Sequence, residues 1–596
     1  MTNQAQKYPQ VWNLESIYSG GSTSQALSDE LKGLHTDVTK LEELIHTAAG
    51  DANNEALEGQ LTEMTELLQS ILLRLREAES FIACLMAQNM RDTAASSWNG
   101  KAKTLSAKFL GVLTKYDDLL RKIDDERWER WISKGAPSTV AFNLSERREQ
   151  AKEKLAPELE ALAGDLAVDG YHGWGDLYNV IVSRAKFNWQ GEQLSAGQMY
   201  NKLSEASREE RTAAFAEWER EWSEQADLAA DTLNRIAGFR LKLYEKRGWT
   251  SPLKEPLQIN RMSEATLDAM WSAIEEGKPA LVQYLERKAK LLGVDQLDWH
   301  DVEAPLGASA RIMPYDEAAD FIVEQFRSFS PDLAEFSEMA FREGWIEAED
   351  RSGKRPGGFC TSLPKSEQTR IFMTYSGTAS NVSTLAHELG HAYHQHVMND
   401  MPALSQEYAM NVAETASTFA ELIVSDSAMR TATDKEEKLA LLESKIQNSV
   451  AFFMNIRARF LFETRFYEQR RDGMVTTEQL NELMVEAQRE AYSGVLGELH
   501  PHFWAAKLHF YLTDVPFYNF PYTFGYLFSA GIYARALKEG PAFAEKYVGL
   551  LRDTGSMTVE QLAEKHLGVK LDGPDFWRDA VALTAEDVKL FLEMTE

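Results

Sequence analysis

The sequence predicts a mainly α-helical fold with one small β-hairpin, on three observations. Over the first two hundred residues apolar positions recur at spacings of three and four, the helical period, as in Leu61, Met64, Leu67, Leu68, Ile71, Leu72 and Leu75. A second helical stretch, dense in Glu, Arg and Trp, runs from about Ser204 to Gly248 and stops ahead of the loop Ser251-Pro252-Leu253. The texture changes only after about residue 345. There a glycine- and charge-rich loop, Glu349 to Gly358, leads into Phe359-Cys360-Thr361-Ser362-Leu363, a turn at Pro364-Lys365-Ser366-Glu367, and the run Thr369 to Tyr375.

The remaining elements follow from end signals. A soft boundary near residue 200 divides the chain into a helical domain, 1–200, and a second domain, 201–596. Within the second, Asn381 or Ser380 offers an N-cap to a helix running to about Met398, which Asn399, Asp400 and Pro402 terminate. Another helix is expected from about Gln406 to Ser425. Pro521 marks the first turn of a further helix, and Thr584-Ala585-Glu586-Asp587 matches a capping box opening one more. Neither internal repeats nor low-complexity tracts are evident, which disfavours a solenoid.

Composition narrows the function classes. In 596 residues, 63 Lys+Arg stand against 92 Asp+Glu, a formal charge of −29, which argues against nucleic acid or an anionic membrane as partner. At 44% hydrophobic and 10% aromatic residues the chain can bury more than one large core. The segment Met1 to Lys7 has no apolar h-region, and longer apolar stretches are broken by charge or proline, so neither a secretion signal nor a membrane span is expected. Two cysteines, Cys84 and Cys360, are too few for a disulfide framework and point to a reducing, cytoplasmic setting.

The chemistry concentrates at His387-Glu388-Leu389-Gly390-His391. Residues four apart on a helix differ by about 40° in azimuth and one turn in height, so both imidazoles can reach one zinc ion at about 2.0–2.1 Å. A random chain of this composition would hold roughly 0.04 copies of the pattern. Seven of the twelve histidines fall in two clusters, His387, His391, His394, His396 and His500, His502, His509, which core packing alone explains poorly. His394 lies on the order of 10 Å beyond His387 along the axis and cannot converge on the same ion. Position 394 is not glycine and 397 is valine, so the metzincin extension is absent. Glu414 is 27 residues after His387 (414 − 387), enough for the next helix to fold back antiparallel and complete a two-histidine, one-carboxylate site. Glu421, on the same face, is either an acid on a solvated surface or a hydrogen-bond partner for a zinc-binding imidazole.

The run His387-Glu388-Leu389-Gly390-His391-Ala392-Tyr393-His394, with Glu414, resembles the thimet oligopeptidase and oligoendopeptidase F family of zinc peptidases. The loop Pro356-Gly357-Gly358-Phe359-Cys360-Thr361 and the run Thr384-Leu385-Ala386 look like the oligoendopeptidase F branch. The resemblance covers about residues 340 to 535. It implies a helical zincin-type fold around a deep substrate channel, one zinc per chain on His387, His391 and Glu414, Glu388 as general base, and oligopeptide substrates cut internally. Where thimet-type members carry a proline-serine-glutamine run after the third ligand, this chain has Thr415-Ala416-Ser417-Thr418, nearer the bacterial branch.

The aromatic segment from Leu508 to Tyr526 completes the candidate site. Phenol hydroxyls beside an apolar wall can donate to an oxyanion, although such a segment is ordinarily core, the reading adopted for Tyr511 and Tyr533. Gly525-Tyr526 resembles the family's Gly-Tyr at the scissile group, with Tyr522 and Tyr518 as further candidates and His509 resembling its substrate-binding histidine. The run Thr369 to Tyr375 could also hold a peptide by strand addition. The rival readings are a zinc carboxypeptidase or dipeptidase on a related scaffold and a non-catalytic helical peptide-binding protein. Oligomeric partners are not legible in the sequence.

Overall fold

The computed structural model describes residues 6–50, 56–307 and 312–596. Helices α1 (Gln25–Ala49), α2 (Leu57–Gln88) and α3 (Thr93–Lys122) bury their apolar stripes against one another. The α2 stripe falls where its period places it: Leu61, Met64, Leu68, Ile71 and Leu75 are buried, with Leu67 and Leu72 at its margins. Ser24 and Asp92 cap α1 and α3, accepting from the amides of Leu27 and Ala95. This core also takes in Leu363 and Phe372 of a small sheet. Thr361 Oγ1 donates to Ser80 Oγ at 2.8 Å, and the amide and hydroxyl of Ser366 donate to Glu77 at 2.6 and 2.9 Å. The α2 helix thus braces the sheet from behind.

A second, larger core gathers the chain from Ala167 to Phe591, with Tyr8 joining it. Its longest helix, α4 (Arg208–Arg247), begins on the N-cap Ser207 and ends at Gly248, whose left-handed φ of 74° closes the last turn. A hairpin of β1 (Phe187–Trp189) and β2 (Glu192–Leu194) interrupts what the sequence read as continuous helices. Its turn residues Gln190 and Gly191 both have positive φ, the conformation a two-residue hairpin needs.

The second sheet orders its strands β3-β5-β4, with β3 (Ile346–Glu347), β4 (Phe359–Leu363) and β5 (Gln368–Phe372). The β4–β5 hairpin is the one expected, paired from Phe359↔Phe372 to Leu363↔Gln368. The parallel β3 was not expected, because two residues carry no periodicity. Its presence corrects one reading. The run 369–375 cannot accept a peptide strand: β5 is central, and the amides of Ile371, Met373 and Tyr375 already bond to Trp345, Glu347 and Ala348. Beyond β3, the Gln10 carbonyl accepts from the amides of Ala348 and Glu349. The edge strand on the other side is β4.

Three helices then build the centre: α5 (Ala379–Met398), α6 (Met410–Thr431) and α7 (Phe520–Glu539). Thr378 is the N-cap of α5 rather than Asn381 or Ser380, because the Asn381 carbonyl oxygen turns back to accept from the amide and hydroxyl of Ser376. A 3-10 turn at Ala403–Gln406 delays α6 beyond its expected start. Pro521 does sit in the first turn of α7. The capping pattern at Thr584 starts no helix; it lies within α8 (Asp575–Met594), where the Thr584 hydroxyl meets Ser449 Oγ at 2.9 Å and Val581, Val588 and Phe591 continue a buried stripe. No described helix is long and apolar enough to cross a membrane.

Helix α6 packs against α5 on one side and α7 on the other. A Cβ at Gly390 of α5 would stand 2.4 Å from the Ala416 carbonyl oxygen and 2.6 Å from Ser417 Cα. One at Gly525 of α7 would stand 3.0 Å from both the Asn411 carbonyl oxygen and Glu414 Cβ. Alanine ordinarily stabilises a helix over glycine by about 1 kcal/mol, but at 390 the obstacle is backbone. Gly390→Ala is therefore expected to destabilise the fold by about 1–3 kcal/mol, whereas Gly111→Ala, with nothing within 4 Å of its Cβ, is expected to be neutral or stabilising. Calorimetric melting of the two variants checks the opposite signs.

Candidate metal centre and active site

The crossing of α5 and α6 brings His387, His391 and Glu414 together. Glu414 Oε2 lies 3.2 Å from His387 Nε2 and 3.4 Å from His391 Nε2, and the imidazole centroids are 4.9 Å apart at 84°. Donors 2.0–2.1 Å from a tetrahedral ion are separated by roughly 3.3–3.4 Å, so these spacings fit the edges of a zinc tetrahedron. The donor chemistry, two imidazole nitrogens and one carboxylate, fits as well.

Polar neighbours hold two of the three donors, His387 and Glu414. Glu421 Oε2 lies 3.3 Å from His387 Nδ1, and its other oxygen accepts from Ser383 Oγ at 3.0 Å. Of the two readings for Glu421, the geometry agrees with the imidazole partner. Ser417 Oγ donates to Glu414 Oε2 at 2.7 Å. Burial opposes charge here, but the two imidazoles hold the Glu414 carboxyl far below the ordinary range, and hydrogen bonds to Glu414 and Glu421 raise His387 to about 10. Ser383 and Ser417 escaped sequence reasoning. Their signal was spacing: one turn before His387 and one turn after Glu414.

Glu388 takes no part in this pairing. It is buried, its Oε2 has no hydrogen-bond partner, and burial raises its pKa above the usual carboxylate value. A Cβ built on Gly358, one residue before β4, would lie 3.6 Å from Glu388 Oε1. The unpartnered carboxylate thus sits between the histidines and the edge strand. A cavity of about 1240 Å³ opens beside them, lined among others by His387, Glu414, Glu421, Tyr522 and Tyr526.

The aromatic candidates divide into two groups. Tyr518 stacks on His509 with centroids 5.2 Å apart and meets the Tyr522 ring edge-on at 5.1 Å; His509 and Tyr522 are 6.2 Å apart. Tyr526, one turn further along α7, is buried and stacked on Phe452, and its hydroxyl is 2.9 Å from Ser449 Oγ. Tyr522 and Tyr526 both line the large cavity, whereas His509 lines a smaller neighbouring one. Burial, helped by the charges of Arg459 and Lys507, lowers the His509 pKa to about 3, so the ring is neutral. Tyr511 and Tyr533 are core residues, the first stacked on Tyr178 and the second bonded to Asp426.

The other clustered histidines do not join the centre. His394, fully buried, is 2.8 Å from Thr554 Oγ1 and stacks on Tyr408. His500 and His502 share Glu219 of α4, with His500 also accepting from the Trp218 indole at 3.1 Å. His394 and His500 are thus core residues and His502 a half-buried partner of Glu219, while His396 lies exposed on α5. Asp298, His300 and Asp301 also converge, but Arg208 and Arg211 already neutralise the carboxylates, at 2.7 to 3.0 Å.

The profile of Peptidase family M3 matches residues 202–583, and that of Oligopeptidase F matches residues 120–187. An oligoendopeptidase F homolog of Lactococcus lactis subsp. lactis is 24% identical over 580 residues, covering 95% of this chain and 94% of its own. Group B oligopeptidase PepB of Streptococcus agalactiae is 25% identical over 563 residues, 91% of each chain. The structure of oligoendopeptidase-F from Enterococcus faecium shares the fold, with a TM-score of 0.70 at 17% identity over 96% of this chain and 99% of that one. With well over half of its length under the first profile, the chain belongs to peptidase family M3 and is an oligopeptide-cleaving metallopeptidase.

Proposed function

We propose that the chain is a zinc endopeptidase that cuts short, unfolded peptides internally, with residues 201–596 carrying the chemistry and 1–200 supporting it. The observation that carries this reading is the unpartnered Glu388 carboxylate beside three donors at tetrahedral spacing. Bound by His387, His391 and Glu414, zinc supplies Lewis acidity toward a carbonyl and acidifies water. Glu421 keeps the His387 ring oriented through Nδ1, and Ser383 fixes Glu421 in turn. An extended peptide paired on the edge of β4 would run past Glu388. Glu388 takes the proton of the attacking water and hands it to the leaving amine. Tyr522 and Tyr526 line the cavity where the oxyanion develops; His509 and Tyr518 form the adjoining wall for substrate. The two free cysteines, Cys84 and Cys360, support a reducing, cytoplasmic setting.

Three outcomes test this reading. Elemental analysis of the purified protein is expected to give one zinc per chain, with His387→Ala and Glu414→Ala losing it; full zinc in both variants would remove the site. Glu388→Gln keeps size and hydrogen bonding, so it should retain zinc and peptide affinity while turnover of a mass-mapped peptide library falls by on the order of 10² to 10⁴. Release of single C-terminal residues alone would favour a carboxypeptidase. Tyr522 ranks ahead of Tyr526 as oxyanion donor because Tyr526 is buried, stacked on Phe452 and tied to Ser449, whereas Tyr522 is only partly buried. Tyr522→Phe is then expected to lower kcat by roughly 10² to 10³, with a smaller loss for Tyr526→Phe. The reverse order in steady-state kinetics would return the role to Tyr526.

A further inference from the structure

The cavity behind His509, about 370 Å³, is walled by Tyr178, Trp218, Trp222, Trp299 and Phe503 and holds two cations, Arg459 and Lys507. The guanidinium carbon and the ammonium nitrogen lie 5.5 and 5.6 Å from the centre of the same Phe503 ring. Among the described residues neither makes an ion pair or a side-chain hydrogen bond, and Arg459 Nε is buried with no partner. This is unusual in a chain with 92 acidic residues. Arg240, buried more completely than either of these half-buried cations, donates to Tyr171, Tyr467 and the Leu512 carbonyl. Buried charge is costly unless paired, and two like charges near one ring add repulsion. Burial and the neighbouring guanidinium lower Lys507 to about 7, and Glu303, exposed at the junction of the two cavities, offsets this only in part. An anion between the two groups would remove both costs.

The position of the pocket suggests which anion. His509 lines it and stacks on Tyr518, and Tyr522 reaches from the edge of that pair into the cavity of His387 and Glu414. We propose that this pocket is a carboxylate subsite of the peptidase: Arg459 and Lys507 hold a carboxylate of the bound peptide, either its C-terminus or an acidic side chain near that end, while the aromatic walls take the adjoining residue. The inference rests on the oligopeptidase reading for the peptide, and on this cavity alone for the carboxylate. Guanidinium and ammonium groups bind carboxylates by charge-assisted hydrogen bonds, and aromatic faces favour the apolar part of the same residue.

Three peptides of one sequence test it, ending in a free carboxylate, in an amide, or in an amide preceded by glutamate. Their affinity for full-length Glu388→Gln protein is read from the fluorescence of Trp218, Trp222 and Trp299, and kcat/KM is measured on otherwise wild-type enzyme. The free carboxylate is expected to be preferred over the plain amide by about tenfold or more, through KM rather than kcat. Arg459→Gln and Lys507→Met should each erase that preference while leaving the amide peptide unchanged, and Arg459→Lys should restore part of it. Recovery of affinity with the penultimate glutamate assigns the carboxylate to a side chain; no recovery assigns it to the C-terminus. Equal binding of all three peptides, or an equal loss on all three in both variants, overturns the subsite and leaves the peptidase reading intact. Selective binding without any internal cleavage by zinc-loaded enzyme keeps the subsite and removes the endopeptidase reading. Should Arg459→Gln fail to fold, Lys507→Met carries the same comparison.

Discussion

Everything at the centre depends on how closely α6 lies between α5 and α7. That closeness exists because Gly390 and Gly525 present no side chain to the α6 backbone, at Ala416–Ser417 on one side and Asn411–Glu414 on the other. A side chain at either position would have to push the α6 backbone, and Glu414 with it, away from its neighbour. Ser529 of α7 adds to the clamp by donating to the carbonyls of Glu414 and Thr415 at 3.1 Å. The glycine inside the His387 to His391 motif thus helps set how closely His387, His391 and Glu414 approach, although it supplies no donor itself.

The polar shell does for orientation what the glycines do for distance. His387 is held at Nδ1 by Glu421, and Glu414 is held by Ser417. Glu388, on the same helix, is left without such partners on Oε2. In the proposed mechanism, the contrast separates groups that hold position from the group that moves a proton. Rigid support extends outward from there. The sheet edge next to Glu388 is braced by α2 through Ser80 and Glu77, so the first helices contribute to the site without touching it.

The negative charge of the whole chain gives the cavity behind His509 its meaning. In a protein with an excess of carboxylates, two cations that make no ion pair among the described residues, near one aromatic ring, mark the place where the proposal has the missing charge arrive from outside. Trp218 illustrates how one element serves two ends: it walls this cavity while its indole fixes His500 in the core.

Local pattern sufficed for much of this. The helical stripes, the β4–β5 hairpin, the Pro521 start of α7, and the pairing of His387 with His391 are set by residues within a turn or two of one another. The 27-residue interval already allowed Glu414 to come back beside them. What local pattern could not decide was set by partners distant in the chain. Thr584 matches a capping box, yet its hydroxyl belongs to Ser449, so the helix runs through it. His500 and His502 cluster like ligands, yet Glu219 claims both. The 369–375 run looks like a strand with a free edge, yet a two-residue strand from 346–347 covers that edge. In each case a group of limited hydrogen-bonding capacity is engaged by whichever partner the tertiary fold brings near. The sequence by itself determined which groups could do the chemistry; the packing of α6 against two glycines determined that they meet.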